Sequence, residues 1–387
     1  MTLRNKVSLG LLLFVPVSIA ADRLGLGEGA VFVTSALAIL PLAVWLSTAT
    51  EELALALGPS IGALLNALFG NATELIIALT ALRAGLVDIV KASITGTVVA
   101  NLLLALGLSM LVGGIGRQEQ RFQPVVARVN GTAMSLAVVA ILIPSLTGMG
   151  EGGHGLGTQR FSTFVAWVLL IVYGLTLLFS LHTHSGLYAV AEAERTELSP
   201  GSDAPAVGMA GAGQIEPRQT EPTAAEHQPP LLPWLAVLVA ATAGVAYESE
   251  LFVGVVEEVT AHLGLSALFT GVVLLPLLGG VAEYLTAVTM ARKNKMDLAV
   301  SVALGSTLLV ALLVVPLLVL LGPLLGHPLD LNFQLYELMA IATAVVVSNL
   351  ASLDGRSDWL EGVLLLAAYV ILAAGFYFQS LPLAPAL

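Results

Sequence analysis

The chain contains no cysteine. Disulfide frameworks, thiolate metal sites and cysteine nucleophiles are therefore excluded. Charge is also scarce. Asp, Glu, Lys and Arg make up 11% of the 387 residues, against about 25% in soluble domains. With 57% hydrophobic residues, the composition is that of an all-α polytopic membrane protein whose surroundings are a lipid bilayer. No basic cluster suits a nucleic acid. No H-E-x-x-H occurs, and no histidine falls at mid-membrane depth beside a serine, so an intramembrane protease, or any enzyme, is not expected. There is no D-x-[DN]-x-[DN]-G calcium loop either, and nothing calls for a cofactor.

What is present is a series of apolar stretches, each able to span a hydrocarbon core of about 30 Å. Eleven are legible, near 7–21, 29–47, 61–82, 92–115, 124–147, 161–181, 231–249, 266–291, 297–322, 333–351 and 360–380. The first has a basic start (Arg4, Lys6) and a small-residue Ser18-Ile19-Ala20 pattern. It reads as a cleavable signal or a retained short helix, and retention is preferred. Residues 191–229 carry seven Asp or Glu against two Arg, among scattered prolines, the pattern of a flexible acidic linker. The expected divisions are an extra helix over 1–28, a first half over 29–181, a linker over 182–230 and a second half over 231–387. With the N-terminus cytoplasmic, eleven Lys or Arg fall inside and four outside (Arg23, Arg83, Lys91, Arg160). That split predicts an N-in, C-out protein of the inner membrane of a bacterium.

The chain also repeats. Shifted by 209 residues, 70–107 lies on 279–316 without gaps. Gly70 meets Gly279, Glu74 meets Glu283, Thr80 meets Thr289, Arg83 meets Arg292, Asp88 meets Asp297 and Gly96 meets Gly305. Matched Leu and Ala between apolar stretches are expected by chance; a matched Glu, Arg, Asp and two Gly are not. The copies lie five segments apart, an odd number, so they run in opposite directions. Two inverted five-helix halves plus an extra N-terminal helix are predicted, a secondary-transporter architecture.

Glu74 is the only charge between Ile61 and Leu82. A carboxylate at that depth costs on the order of 2.5–3.5 kcal/mol on insertion scales. If the halves pack about a pseudo-two-fold axis, Glu74 and Glu283 meet near the membrane centre. Two such carboxylates require a shared proton or a cation between them. Metal binding then competes with protonation, and a site open to alternate sides with either cargo is an antiporter. Oxygen ligands suit Ca²⁺; no His or Cys lies in either repeat, which disfavours Zn²⁺ or Cu⁺. Asn71, Thr97, Asn101 and Ser306 are the neighbouring oxygen donors. The spacings Ala92-x3-Gly96-x3-Ala100 and Ser301-x3-Gly305 predict close helix approach.

These residues resemble a known family. GNATELI with ITGTVVANLLLALG, and PLLGGVAEYLTAV with KNKMDLAVSVALGS, are similar to the two signature repeats of calcium/proton exchangers, the CAX branch of the cation/calcium exchanger superfamily. The similarity extends over about 45–320. It implies eleven membrane helices and an acidic segment between halves. It also implies that Glu74 and Glu283 bind Ca²⁺ and protons alternately, with Asn71 and Asn101 assisting. The second repeat departs from the family's GNAAEH, reading Gly280 and Tyr284 where Asn and His are usual.

Among the flanking acids, Glu51 and Glu250 are expected along the cation's entry paths. Glu52, Glu248, Glu257 and Glu258 read as solvated helix ends. The R-x4-D pairs Arg83/Asp88 and Arg292/Asp297 read as loop charges suited to surface salt bridges. The function expected is export of Ca²⁺, or a similar divalent cation, against H⁺. The alternatives are a sodium-coupled calcium exchanger, a Mn²⁺ or Cd²⁺ proton antiporter, or a cation channel. A homo-oligomer is compatible with all of these.

Overall fold

The structure, a computed structural model, describes residues 9–150, 156–183 and 230–379. Nearly all of the acidic linker expected over 182–230 lies outside them, as does the basic start of the first segment.

Where it is described, every apolar stretch read from the sequence falls mainly on helix. The elements are α1 (Phe14–Arg23), α2 (Glu28–Leu57), α3 (Pro59–Phe69), α4 (Ala72–Arg83), α5 (Val87–Gly114), α6 (Pro124–Gly150) and α7 (Leu156–Leu178). Then come α8 (Leu231–His262), α9 (Ala267–Gly279), α10 (Val281–Arg292), α11 (Met296–Leu325), α12 (Leu335–Ala351) and α13 (Trp359–Gln379). Among the described residues seven helices are long and apolar enough to cross a membrane, or eight if the bent pair α9–α10 counts as one. The rest of the eleven expected stretches are shorter. One is α1, one is α12 with 17 residues, and the stretch 61–82 is split between α3 and α4. The chain is an integral membrane protein. Large apolar side chains such as Phe164, Ile171, Val370 and Phe378 are exposed along α7 and α13, where lipid solvates them as well as protein would.

The helix bounds keep the 209-residue offset read from the sequence. α4 and α10 start and end in register, and α5 and α11 start in register. Each long partner helix loosens into a π turn at the corresponding point, Ala100–Ala105 in α5 and Val310–Val314 in α11. Such turns are rare and concentrate at functional sites.

Two hydrophobic clusters hold the bundle. The larger draws on both halves, from Ile77 and Leu102 to Leu312 and Leu338. The smaller joins α2, α4 and α8 through Leu46, Leu53, Ala72, Leu238 and Ala241. Small residues decide how closely helices approach. A Cβ at Gly96 would overlap the backbone of Val272, so α5 and the π turn Thr270–Leu274 of α9 touch main chain to main chain. Gly305, its repeat equivalent, has nothing within 4 Å of an added Cβ. The expected close approach thus holds for the first copy and not for the second.

The two ends of the bundle sort the loops. At one end, Arg117 donates to the carbonyl of Arg292 at 3.0 Å and Gln120 to that of Ala291 at 2.9 Å. There β1 (Gln120–Arg121) pairs antiparallel with β2 (Arg356–Ser357). Glu119 bridges the strands, accepting from Arg121 at 2.7 Å and Arg356 at 3.3 Å, and the Arg121 hydrogen bond holds its carboxyl below the usual range. At the other end Lys91, half of a buried ion pair, donates to Asp330 at 2.5 Å and to the carbonyl of Asn332 at 2.9 Å. Loops that the charge count assigned to one side are therefore together in space. The R-x4-D salt bridges are not what forms. Arg83 pairs with Glu250 at 3.2 Å, and Asp297 accepts from the backbone of Gln123 at 2.6 Å. Cross-bundle partners were nearer to these charges than their sequence neighbours.

Candidate functional site

Two helix breaks create the site. Between α3 and α4 the chain turns at Gly70 and Asn71; between α9 and α10 it turns at Gly280, with a bend of 61°. Pro276, one turn before the second break, lacks the N–H that would continue the ladder. Each break exposes the start of a new helix, whose free N–H groups and positive dipole end favour an anion. Glu74 and Glu283 occupy the first turns of α4 and α10.

Both oxygens of Glu74 and Oε2 of Glu283 are buried, and none receives a hydrogen bond from another residue. The Glu74 stem lies against Gly279, where an added Cβ would stand 2.9 Å from Cγ. The two carboxylates are within Coulombic reach of each other. Buried, unpartnered carboxyl oxygens carry a desolvation cost of several kcal/mol unless a cation or proton joins them.

The expected helpers divide. Asn71 Nδ2 donates to Ser306 Oγ at 2.6 Å, and Asn101 Nδ2 donates to the same oxygen at 3.0 Å. Three of the four are thus brought together, across the two halves, with Asn101 in the π turn of α5. Asn101 Oδ1 is buried without a partner and is a free acceptor for a cation. Asn71 is not on the face of α4; it stands at the break itself, in a non-helical conformation. Thr97 is buried four residues before Asn101 on α5.

Glu51 is exposed on α2 and within Coulombic reach of Glu283. Glu250 is exposed and paired with Arg83, which offsets its attraction for cations. Neither acid flanks a helix as the apolar stretches suggested. α2 runs to Leu57 and α8 to His262, because backbone hydrogen bonding continues past the end of the hydrophobic run. Among the described residues no three His, Cys, Asp or Glu side chains converge as a resident metal cluster would.

Glu248 corrects the sequence reading. It is fully buried in α8, and Ser18 Oγ stands 2.7 Å from both carboxyl oxygens, placed to donate its one proton to either. The sequence shows no sign of this, since the partner comes from α1. Lys91 with Asp330 was also missed. Glu337 was legible in principle: Gln334-x-x-Glu337 is a capping box at the start of α12. Near these residues lies a cavity of about 510 Å³ lined by Asp88, Lys91, Asn332 and Glu337 among others.

Two helix breaks that each present a buried glutamate suit the exchange of a cation across a membrane. The sodium/calcium exchanger protein family matches residues 28–182 and 233–378, and the chain belongs to it. The chain is 49% identical to a Ca²⁺/H⁺ antiporter of Aphanothece halophytica, over 97% of each chain. It is 39% identical to the Ca²⁺/H⁺ antiporter ChaA of Bacillus subtilis, over 94% of this chain and 96% of that one. Among solved structures, native YfkE superposes with a TM-score of 0.78 at 34% identity, covering 96% of this chain and 99% of that one.

Proposed function

We propose that the protein exports Ca²⁺ from the cytoplasm in exchange for H⁺ by alternating access. Its body is two inverted five-helix halves, 29–181 and 231–387, with α1 as an extra helix and 182–230 as a cytoplasmic linker. The N-terminus is inside, the C-terminus outside, and the membrane is a bacterial inner membrane. The matching helix bounds and π turns support the repeat. The convergence of loops 115–123, 292–295 and 352–358 supports placing them on one side. The relatives named as Ca²⁺/H⁺ antiporters support the cargo.

One observation carries this reading: both carboxyl oxygens of Glu74 and Oε2 of Glu283 are buried without a hydrogen-bond partner. Each is aimed from a helix N-terminus that favours its charged form, and each faces a like charge that disfavours it. A Ca²⁺ ion neutralises both at once, and so do protons. The empty pair is the costly state, so the site changes sides loaded with one cargo or the other. That is the condition for exchange rather than leak. Asn101 Oδ1 adds an oxygen to the cation. Asn71 and Ser306 tie the first break to α11, so that the two halves sense the cargo together. Glu51 draws cations toward Glu283, while Glu250 does so less because Arg83 offsets it. Thr97 lines the approach beside Asn101.

The test is uptake of radiolabelled Ca²⁺ into proteoliposomes under an acid-inside pH gradient, then under a sodium gradient. Proton-driven uptake that a protonophore collapses is expected. Sodium-driven uptake would replace this reading with a sodium-coupled exchanger, and uptake with neither gradient with a channel. Uptake of Mn²⁺ or Cd²⁺ but not Ca²⁺ would change the cargo.

A further inference from the structure

The two halves are unequal at the site. In the first, Asn71 and Asn101 both donate to Ser306. The 209-residue offset carries Asn71 to Gly280, Asn101 to Val310, and Thr97 to Ser306. The mirror cradle therefore keeps its hydroxyl, Thr97, but has neither amide. The missing Asn71 counterpart leaves a gap at the second helix break, and the structure fills it from one turn further on. Tyr284, the counterpart of Leu75, folds its ring back over Gly280. A Cβ at Gly280 would stand 2.6 Å from both its Cζ and its hydroxyl oxygen. The ring is buried, 8% exposed. Its hydroxyl donates to the carbonyl of Pro276 at 2.9 Å, the same carbonyl that accepts from the backbone N–H of Gly280 at 2.9 Å. Tyr284 is also within Coulombic reach of both Glu74 and Glu283.

We propose that Tyr284 is a specificity-determining residue of the exchanger. It takes the room of the absent second-half amide and occupies the Pro276 carbonyl. The protein's oxygen ligands are thereby confined to the two glutamates and the first-half amides. This rests on the reading of Glu74 and Glu283 as the cargo pair. Ca²⁺ takes six to eight oxygens at flexible distances, whereas smaller divalent ions demand tighter geometry and give up water reluctantly. With one flank closed by a neutral phenol, water completes the shell, and discrimination between Ca²⁺ and smaller divalent ions is weaker than a symmetric cradle would give. The glycine and the tyrosine form a matched pair: an amide at 280 requires that the ring leave.

The full chain in proteoliposomes tests this, with the KM for Ca²⁺ and competition by Mn²⁺ as readouts. Melting temperature and gel-filtration profile of each variant report on folding. Gly280→Asn should lose at least tenfold in rate, because its side chain meets the ring. Gly280→Asn with Tyr284→Leu, which copies the first half's Asn and Leu, should recover transport. Its KM for Ca²⁺ should fall by roughly fivefold, the worth of one net polar contact, and Mn²⁺ should compete less well. Tyr284→Phe keeps the ring, leaves the Pro276 carbonyl with the Gly280 N–H as its one remaining donor of the two, and should alter Mn²⁺ competition with little change in melting. The assignment is overturned if Gly280→Asn alone transports with the native KM. It is equally overturned if the double variant keeps native KM and Mn²⁺ competition, or if Tyr284→Leu shifts melting alone. Failure of the underlying site reading looks different: Glu74→Gln would then retain transport.

Discussion

Replacing Glu74 by Gln keeps the side chain's shape and removes its charge. Two effects of opposite character follow. The native carboxylate is buried, faces Glu283 and has no donor from another residue, so its removal relieves like-charge repulsion. The amide is itself buried and incompletely bonded, at a cost of about 1–3 kcal/mol, comparable with the 2.5–3.5 kcal/mol of a charge at depth. Cargo-free stability should therefore change little. The response to cargo should change completely. A ligand at 100 times its dissociation constant stabilises the folded protein by about 2.7 kcal/mol. The native protein should show a Ca²⁺-dependent rise in melting temperature of that origin. It should be large at alkaline pH and fade in acid, because the bound cation requires deprotonated carboxylates. Glu74→Gln should show none at any pH, together with no proton-driven Ca²⁺ uptake. A thermal-shift titration with Ca²⁺ at several pH values, beside the uptake assay, measures both. A variant that still melts higher in Ca²⁺, or still exchanges, would refute the two-carboxylate reasoning.

Further outcomes follow from packing and pairing. Gly96→Ala forces α5 off the backbone of Val272 and should cost at least about 1–3 kcal/mol; Gly305→Ala, in open space, should melt like the native protein. Lys91→Met removes the cation of the buried ion pair with Asp330 and should cost about 3–5 kcal/mol, whereas adding Asp330→Leu should recover most of it, as read from detergent melting curves. Ser18→Ala strips the hydroxyl donor that α1 gives the buried Glu248 and should cost about 1–3 kcal/mol; in a Glu248→Leu background the same change should cost far less. The Glu119 bridge is exposed, so Glu119→Gln should leave melting near neutral pH almost unchanged. Because its carboxyl is held low, whatever it adds is present at neutral pH and is lost as pH falls through that lowered value.

Much of this was readable from residues alone, for definite reasons. A single charge within 22 residues of a membrane-length stretch is a strong signal because its burial is so costly. A gapless offset that matched Glu, Arg, Asp and Gly exposed the second glutamate, and the helix bounds keep that offset. What could not be read depends on contacts between distant segments. Ser18 and Glu248 lie 230 positions apart, and Lys91 and Asp330 lie 239 apart. Hydropathy read Glu248 as a helix-end charge and Lys91 as an outside loop charge, since it sees a residue's neighbours along the chain and not across the bundle. The same limit hid the difference between Gly96 and Gly305, equivalent by the repeat offset and unlike in surroundings. Tyr284 stood out as a departure from the family's second signature, but its closure over Gly280 is a fact of rotamer and packing.

The cross-bundle pairs also set a schedule for biosynthesis. Asn71 waits for Ser306, 235 residues later, and Lys91 for Asp330. At 5–20 residues per second, that delay is on the order of 10–50 s. Through it the first half must sit in the insertion machinery or the bilayer with a lysine, a glutamate and two amides lacking their partners. Premature release into lipid during that interval would expose groups that hydrocarbon tolerates poorly. The nascent chain therefore needs shelter until α11 arrives, and its yield should depend on the insertion machinery more than on the stability of the finished fold.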